Sequence, residues 1–324
     1  MPTLNKQENT VLIITGPTAS GKTVLSEQIL RHIAGEVINS DVGQFYSPLS
    51  VGTAKPDLSA LNYIFHGFNL INEPLDLSVA AYRKWAIDIV DQVSIKGKLP
   101  LFVGGSLFYI KSLFFPPHDF VDGQKKDDCA LVVDSGNTLW QQLYMIDPVR
   151  ANDIHPNDEY RICRALAIWQ KTGEKPSRYK PLLQLPFKAM IVFVCPDRAT
   201  LNENIKNRLN TMIQSGWIEE VERLIDTPWE PFLLKKGLIG YPALIDWVKK
   251  GKITAALDSV IQAIQLDTIA YAKRQVTFWQ SFSGSLQKTQ AFITKQCILQ
   301  TINAAENNSG MNIANQIKSF LTDI

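Results

Sequence analysis

The amino-acid sequence predicts an α/β fold with a mainly parallel sheet. Short, β-branched runs recur at Val11–Thr15, Glu36–Ser40, Leu99–Val103 and Met190–Val194. Each has the length and apolar content of a strand buried on both faces. Helical patterns separate them, which is the order of a doubly wound sheet rather than of hairpins. A glycine-rich octapeptide at Gly16–Thr23 joins the first strand to the first helix.

That octapeptide reads Gly16, Pro17, Thr18, Ala19, Ser20, Gly21, Lys22, Thr23, the phosphate-binding pattern GxxxxGK[ST] in its strand–loop–helix setting. Its glycines allow close backbone approach, and N–H groups at the helix start point at the ligand. Lys22 supplies a point charge, and Thr23 supplies a hydroxyl for magnesium held through the phosphates. The expected core is therefore P-loop NTPase-like, built to hold a di- or triphosphate. From Lys22 onward, Leu25, Ile29 and Ile33 fall on one helix face.

Beyond Ser78, the residues Val79, Tyr82, Ala86, Ile89, Val90 and Val93 form an apolar stripe that ends near Gly97 and leads into the Leu99 strand. From Phe115 to Gly136 the periodicity fades around Pro116-Pro117, so a domain exit is placed there. Helices resume at Leu139–Ile146 and from Asp158 to Lys171, where Ile162, Ala165, Leu166 and Trp169 form the buried face. Three segments result: residues 1–115 as the first part of the core, 116–188 as a mostly helical insertion, and 189–324 as core completion with helical C-terminal regions. In the last segment, Leu201, Ile205, Leu209 and Met212 share one face, then helices follow at Trp217–Ile225 and Lys252–Phe282. The last forty residues look amphipathic or loosely ordered and carry no motif.

Composition narrows the class. The 324 residues are 45% hydrophobic and 20% charged, ordinary for a soluble enzyme, and the net charge of +2 points to no particular partner. The four cysteines (129, 163, 195 and 297) are far apart, without CxxC spacing or a disulfide framework, and the four histidines show no metal-ligand spacing. The first ten residues are polar, and Gly104-Gly105 and Lys111 interrupt the most apolar stretch. No membrane contact is expected, the location expected is cytoplasmic, and nothing demands more than a monomer.

Asp41 closes the second strand, on the edge of the sheet where ligands bind. Magnesium ligand, general base and strand-end cap are all open to it at this point. Gly104-Gly105-Ser106 follows the third strand on the same edge, either as a ligand-facing turn or as a plain one. Between Arg150 and Lys188, basic side chains outnumber acidic ones, with Arg161, Arg164 and Lys171 along one helix edge. That excess suits a phosphate backbone but also an ordinary solvated face.

Taken together, the motifs resemble the tRNA dimethylallyltransferase (isopentenyltransferase) family. The resembling blocks are Gly16–Thr23, Ile38–Tyr46, Val51–Pro56, Val103–Tyr109, Ile154–Leu166, Ile239–Leu244 and Ala272–Trp279, in the family's order. The resemblance implies dimethylallyl diphosphate as donor, magnesium as cofactor, and a tRNA anticodon stem-loop as acceptor. It implies that Asp41 is the general base and that Ser106, where many relatives carry threonine, orients a substrate. It also implies tRNA contacts from Asp41, Val42, Gly43, Gln44 and Ser106, from Tyr160, Arg161, Ile162, Cys163 and Arg164, and from Gly240, Tyr241, Lys273, Arg274 and Gln275. The chain departs from the family at Val42, in place of a serine, and at Ile269 and Gln280, where arginine is common. No C-terminal Cys/His zinc-finger pattern is present, so the bacterial form fits better. Rival readings are an adenylate isopentenyltransferase, a small-molecule kinase that consumes ATP, and a nucleotide-dependent switch.

Overall fold

The computed structural model describes residues 9–58, 63–116, 137–178, 182–303 and 309–322. Its elements in chain order are β1 (Thr10–Thr15), α1 (Lys22–Leu30), β2 (Gly35–Asn39), β3 (Phe65–His66), α2 (Val79–Ile95), β4 (Leu99–Gly104), α3 (Leu107–Phe114), α4 (Leu139–Ile146), α5 (Pro148–Asn152), α6 (Glu159–Thr172), β5 (Lys188–Val194), α7 (Arg198–Gln214), α8 (Trp217–Glu222), α9 (Trp229–Lys236), α10 (Tyr241–Lys249), α11 (Thr254–Gln287), α12 (Gln290–Ile293), β6 (Cys297–Ile302) and α13 (Ser309–Thr322).

The strands form one parallel sheet in the order β3-β2-β4-β1-β5-β6. β1 lies in its middle, and all six of its residues are buried, as a strand covered on both faces requires. Alternation divides its side chains. Leu12 and Ile14 join Leu25 and Ile29 of α1 and Ile313, Ala314 and Ile317 of α13 in one core. On another part of the sheet, Phe193 of β5 stacks on Trp279 of α11 with centroids 4.7 Å apart.

Two strands were not legible. β3 has only two residues, too few for any periodicity to register. β6 and α13 lie in the stretch expected to be amphipathic or loosely ordered: α13 is an amphipathic helix that covers α1, while β6, which was not expected, pairs along β5 from Cys297 to Ile302. The segment CILQTI mixes apolar and polar residues because it is a partly exposed edge strand.

The chain falls into two compact units. One comprises residues 1–76, 85–111 and 185–324 and holds the sheet. A helical layer in this unit packs Tyr46 and Leu49 with Leu209, Trp217, Val221, Leu233, Tyr241 and Ile264 from α7 to α11. The other comprises residues 77–84 and 112–184. Its core gathers Leu143, Ala151, Ile154, Ile162, Ala165 and Leu166. Thr138 and Gln141 form a capping box at the start of α4, Asp147 and Asp158 cap α5 and α6, and Gly173 at φ 70° ends α6. Among the described residues, no helix is long and apolar enough to cross a membrane.

Candidate active site

Three loops leave the carboxyl ends of β1, β2 and β4, which are neighbours in the sheet, and so converge on one edge. The first is Gly16–Thr23. Lys22 folds its ammonium back over this loop, donating to the carbonyls of Gly16 at 3.1 Å and Pro17 at 2.7 Å. Gly16 packs so tightly on β5 that a Cβ would stand 2.2 Å from the Val194 carbonyl oxygen. The Ser20 hydroxyl is buried without a partner among the described residues, an orphan that a bound ligand atom would satisfy.

The second loop carries Asp41. Its N–H donates to Asn39 Oδ1 at 2.8 Å, and Asn39 Nδ2 donates to the carbonyls of Asp41 at 3.2 Å and Gly67 at 3.1 Å. A strand side chain thus fixes the backbone that aims the carboxylate. The third loop is Gly104-Gly105-Ser106. A Cβ on Gly104 would lie 2.2 Å from the Ser40 carbonyl carbon, so no side chain is admissible there. Ser106 donates its N–H to the Ser40 carbonyl at 3.0 Å, and its hydroxyl accepts from Val42 N–H at 3.0 Å.

Gln275 of α11 ties the first loop to the third. Its Oε1 accepts from Thr18 N–H at 2.9 Å, while Nε2 donates to the Gly105 carbonyl at 2.8 Å. From α7, Asn204 donates to the Ala19 carbonyl at 3.2 Å and Arg208 to the Thr53 carbonyl at 3.3 Å.

Charge is concentrated at this junction. Burial lowers Lys22 to about 8; the Asp41 carboxylate opposes the shift and the Arg208 guanidinium adds to it. Burial also holds Arg208 below its usual value, against the pull of Asp41. Tyr271 is raised by burial and then by Asp41, with Arg274 opposing. Two cations held in a low-dielectric pocket are poised for an anion that would repay their desolvation.

Two cavities open here. One, of about 300 Å³, is lined by Thr18–Thr23, Asp41, Gln44 and Arg208, with an apolar end of Val37, Phe65, Phe68 and Val103. The other, of about 390 Å³, is lined by Thr18, Asp41, Val42, Gly43, Thr53, Arg208, Trp217, Tyr241, Tyr271 and Arg274. Thr18, Asp41 and Arg208 belong to both. The arrangement places two cations on one side, where an anion could bind, and presents the Asp41 carboxylate to both cavities.

The structure sorts the expected site residues. Gly16 and Pro17 stand behind the cavity, with their carbonyls on Lys22. Ser106 lies behind Asp41, and its hydroxyl is engaged with Val42. Gln275 is 5% exposed and both its amide atoms are committed. Tyr241 reaches the second cavity, but its hydroxyl donates to Glu220. Gly240, at φ 87°, precedes α10 where a Cβ would stand 2.1 Å from the Trp217 ring. Lys273 and Arg274 are exposed on α11, with Arg274 over the Tyr271 ring at 5.8 Å. Arg208, Asn204, Tyr271 and Thr53 were missed. No local pattern marks Arg208, Asn204 or Tyr271, which reach the site only through tertiary proximity, whereas Thr53 lies within the Val51–Pro56 block, where no role was assigned to it.

Residues Tyr160–Arg164 belong to α6 of the other unit. Tyr160 is 69% exposed, Arg161 is exposed beside it, and Arg164 donates to the Tyr160 hydroxyl at 3.4 Å. Ile162 instead sits in the core of that unit. Cys195 and Cys297 are free thiols; Cys129 lies outside the described residues.

Comparison with known proteins identifies the family and the fold. The family model described as IPP transferase matches residues 44–282. A tRNA dimethylallyltransferase of Carboxydothermus hydrogenoformans is 35% identical over 284 residues, covering 83% of this chain and 88% of the relative. One from Oceanobacillus iheyensis is 32% identical, covering 85% and 89%. The full-length tRNA isopentenylpyrophosphate transferase structure from Bacillus halodurans superposes with a TM-score of 0.62 at 25% identity, covering 97% of both chains. A eukaryotic dimethylallyltransferase acting on tRNA shares the fold, with a TM-score of 0.75 at 24% identity over 96% of this chain and 80% of that one.

Proposed function

The chain belongs to the IPP transferase family, and on that premise we propose that it is a tRNA dimethylallyltransferase. It moves the dimethylallyl group of dimethylallyl diphosphate onto the exocyclic amine of the adenosine 3′-adjacent to the anticodon. The observation that carries this reading is the position of Asp41, which lines both the phosphate-loop cavity and the second cavity.

The donor's diphosphate lies along Gly16–Thr23. The acceptor adenine enters the second cavity, which requires it to leave its stack. Its exocyclic nitrogen is a poor nucleophile, because the lone pair is delocalised into the ring. The new C–N bond therefore forms as the amine proton passes to Asp41 and the C–O bond to diphosphate breaks. Negative charge gathers on the leaving diphosphate, where Lys22, Arg208 and loop N–H groups meet it. Ser106 holds the Asp41–Val42 backbone in place through its hydroxyl.

Magnesium fits this donor set. Thr23 would supply a hydroxyl oxygen ligand on the cavity wall, and the buried Ser20 hydroxyl awaits a partner. Among the described residues, no group of three His, Cys, Asp or Glu side chains could hold a metal unaided. Diphosphate oxygens and water would complete the shell, and the bound ion would neutralise the leaving group.

The helical insertion grips the anticodon stem-loop through Tyr160, Arg161 and Arg164, and Val42–Gln44, Gly240-Tyr241 and Lys273–Gln275 face or brace the acceptor. A monomer working in the cytoplasm suits a tRNA substrate. The test is to incubate the protein with magnesium, dimethylallyl diphosphate and unmodified tRNA, then weigh the digested nucleosides by mass spectrometry. A dimethylallyl gain on adenosine supports the reading. Transfer to AMP alone would favour the adenylate enzyme, and ATP consumption the kinase.

A further inference from the structure

Glu220 is a carboxylate buried to 2% exposure that no step above uses. Three consecutive backbone N–H groups converge on it: Ser50 and Val51 donate to Oε2 at 2.7 Å each, and Gly52 donates to Oε1 at 3.0 Å. The Tyr241 hydroxyl donates to Oε1 at 2.7 Å. With four donors the carboxylate is saturated as an anion. Such a cradle ties α8 to a turn that lies about 170 residues earlier in the sequence.

That turn ends at the active site. The Thr53 carbonyl, one residue beyond the cradle, accepts from Arg208 Nη2 at 3.3 Å and from Gln44 Nε2 at 3.2 Å. Gly52, Trp217 and Tyr241 line the second cavity beside Asp41 and Arg208. A Cβ on Gly52 would stand 2.0 Å from Trp217 Nε1 and 2.6 Å from the Tyr241 hydroxyl, so the packing leaves the turn no slack. Moving the turn moves the seat of the guanidinium.

We infer that Glu220 is a positioning residue for the transfer reaction: it holds the Ser50–Thr53 turn and, through the Thr53 carbonyl, sets where Arg208 meets the donor's diphosphate. The inference rests on the proposed reading for its reaction, but not for its mechanical content. Glu220→Gln keeps the shape and replaces one acceptor oxygen with an NH₂ group facing N–H donors. Glu220→Asp keeps the charge on a shorter stem.

The experiment measures kcat and KM for dimethylallyl diphosphate, inorganic pyrophosphate binding by calorimetry, and the thermal midpoint. The proteins are wild type, E220Q, E220D, R208A and E220Q/R208A. E220Q is expected to lower kcat/KM and weaken pyrophosphate binding by about tenfold, the scale of one lost charge-assisted hydrogen bond. E220D should recover to within about threefold of wild type, and in the R208A background E220Q should add less than about twofold, since coupled residues are not additive. A lower thermal midpoint with unchanged kcat/KM and pyrophosphate affinity would make Glu220 purely structural and overturn the inference. So would losses that multiply with R208A. If E220Q does not fold, Tyr241→Phe, which removes the hydroxyl donor to Glu220 Oε1, carries the same comparison alone and in the R208A background. If wild type binds pyrophosphate but transfers nothing, the proposed function fails while the binding arm still decides Glu220.

Discussion

Replacing Lys22 with methionine should make the ligand-free protein more stable at neutral pH, and less stable than wild type in strong alkali. Lys22 falls from 10.5 to about 8 because its ammonium is buried before any anion arrives. A shift of that size is worth about 3 kcal/mol, at 1.36 kcal/mol per unit. Below pH 8 the lysine is charged in both folded and unfolded states, so the native state bears the full cost. Between about 8 and 10.5 the native state releases its proton while the unfolded state keeps it, so stability rises with pH. Lys22→Met removes that cost but strips the Gly16 and Pro17 carbonyls of their donor, at roughly 1 kcal/mol each. The variant should therefore gain about 1 kcal/mol at pH 7 and lose about 2 kcal/mol at pH 10.5. Urea unfolding followed by circular dichroism at several pH values reads the gap directly. Lys55, also lowered to about 8 by burial, titrates in both proteins and cancels. A gap that stays constant from pH 7 to 10.5 would refute the claim that the loop lysine is held desolvated for an anion.

Two further outcomes follow from the same electrostatics. Burial alone would raise Glu36, but hydrogen bonds from His66, Lys98 and Lys96 outweigh it and hold the carboxyl at about 2. Its stabilisation is present above pH 4.5 and is lost as pH falls toward 2, so Glu36→Gln should cost on the order of 2 kcal/mol at pH 7 and progressively less in acid, as chemical denaturation at pH 7 and 3 would reveal. Arg161→Ala with Arg164→Ala should weaken tRNA binding and reduce the slope of log affinity against log salt by about 1 to 2. An unchanged slope would return both arginines to an ordinary solvated face.

The phosphate loop, the interior strands and the amphipathic helices were legible because each is written within a short window. Gly16–Thr23 carries its own spacing, and Leu25 with Ile29 declares the face of α1 that meets the sheet. Asp41 and Ser106 could be placed because each closes a strand whose partners were also readable. Arg208 and Glu220 were not legible: their partners, Thr53 and the Ser50–Gly52 turn, lie some 150 to 170 residues away. Ile162 and Gln275 show the converse. A motif match brought them forward as tRNA contacts, but Ile162 lies in the core, as its place on the buried face of the helical pattern had indicated, and a pair of long-range hydrogen bonds absorbed the Gln275 amide.

The proposed transfer requires Asp41 to take the proton of the acceptor amine. Asp41→Asn keeps size and polarity but removes the base. A single-turnover assay with excess enzyme, magnesium, dimethylallyl diphosphate and unmodified tRNA isolates that step from product release. The expected rate is about 10²- to 10⁴-fold below wild type, with tRNA and pyrophosphate binding retained. A variant that transfers at the wild-type rate would contradict it.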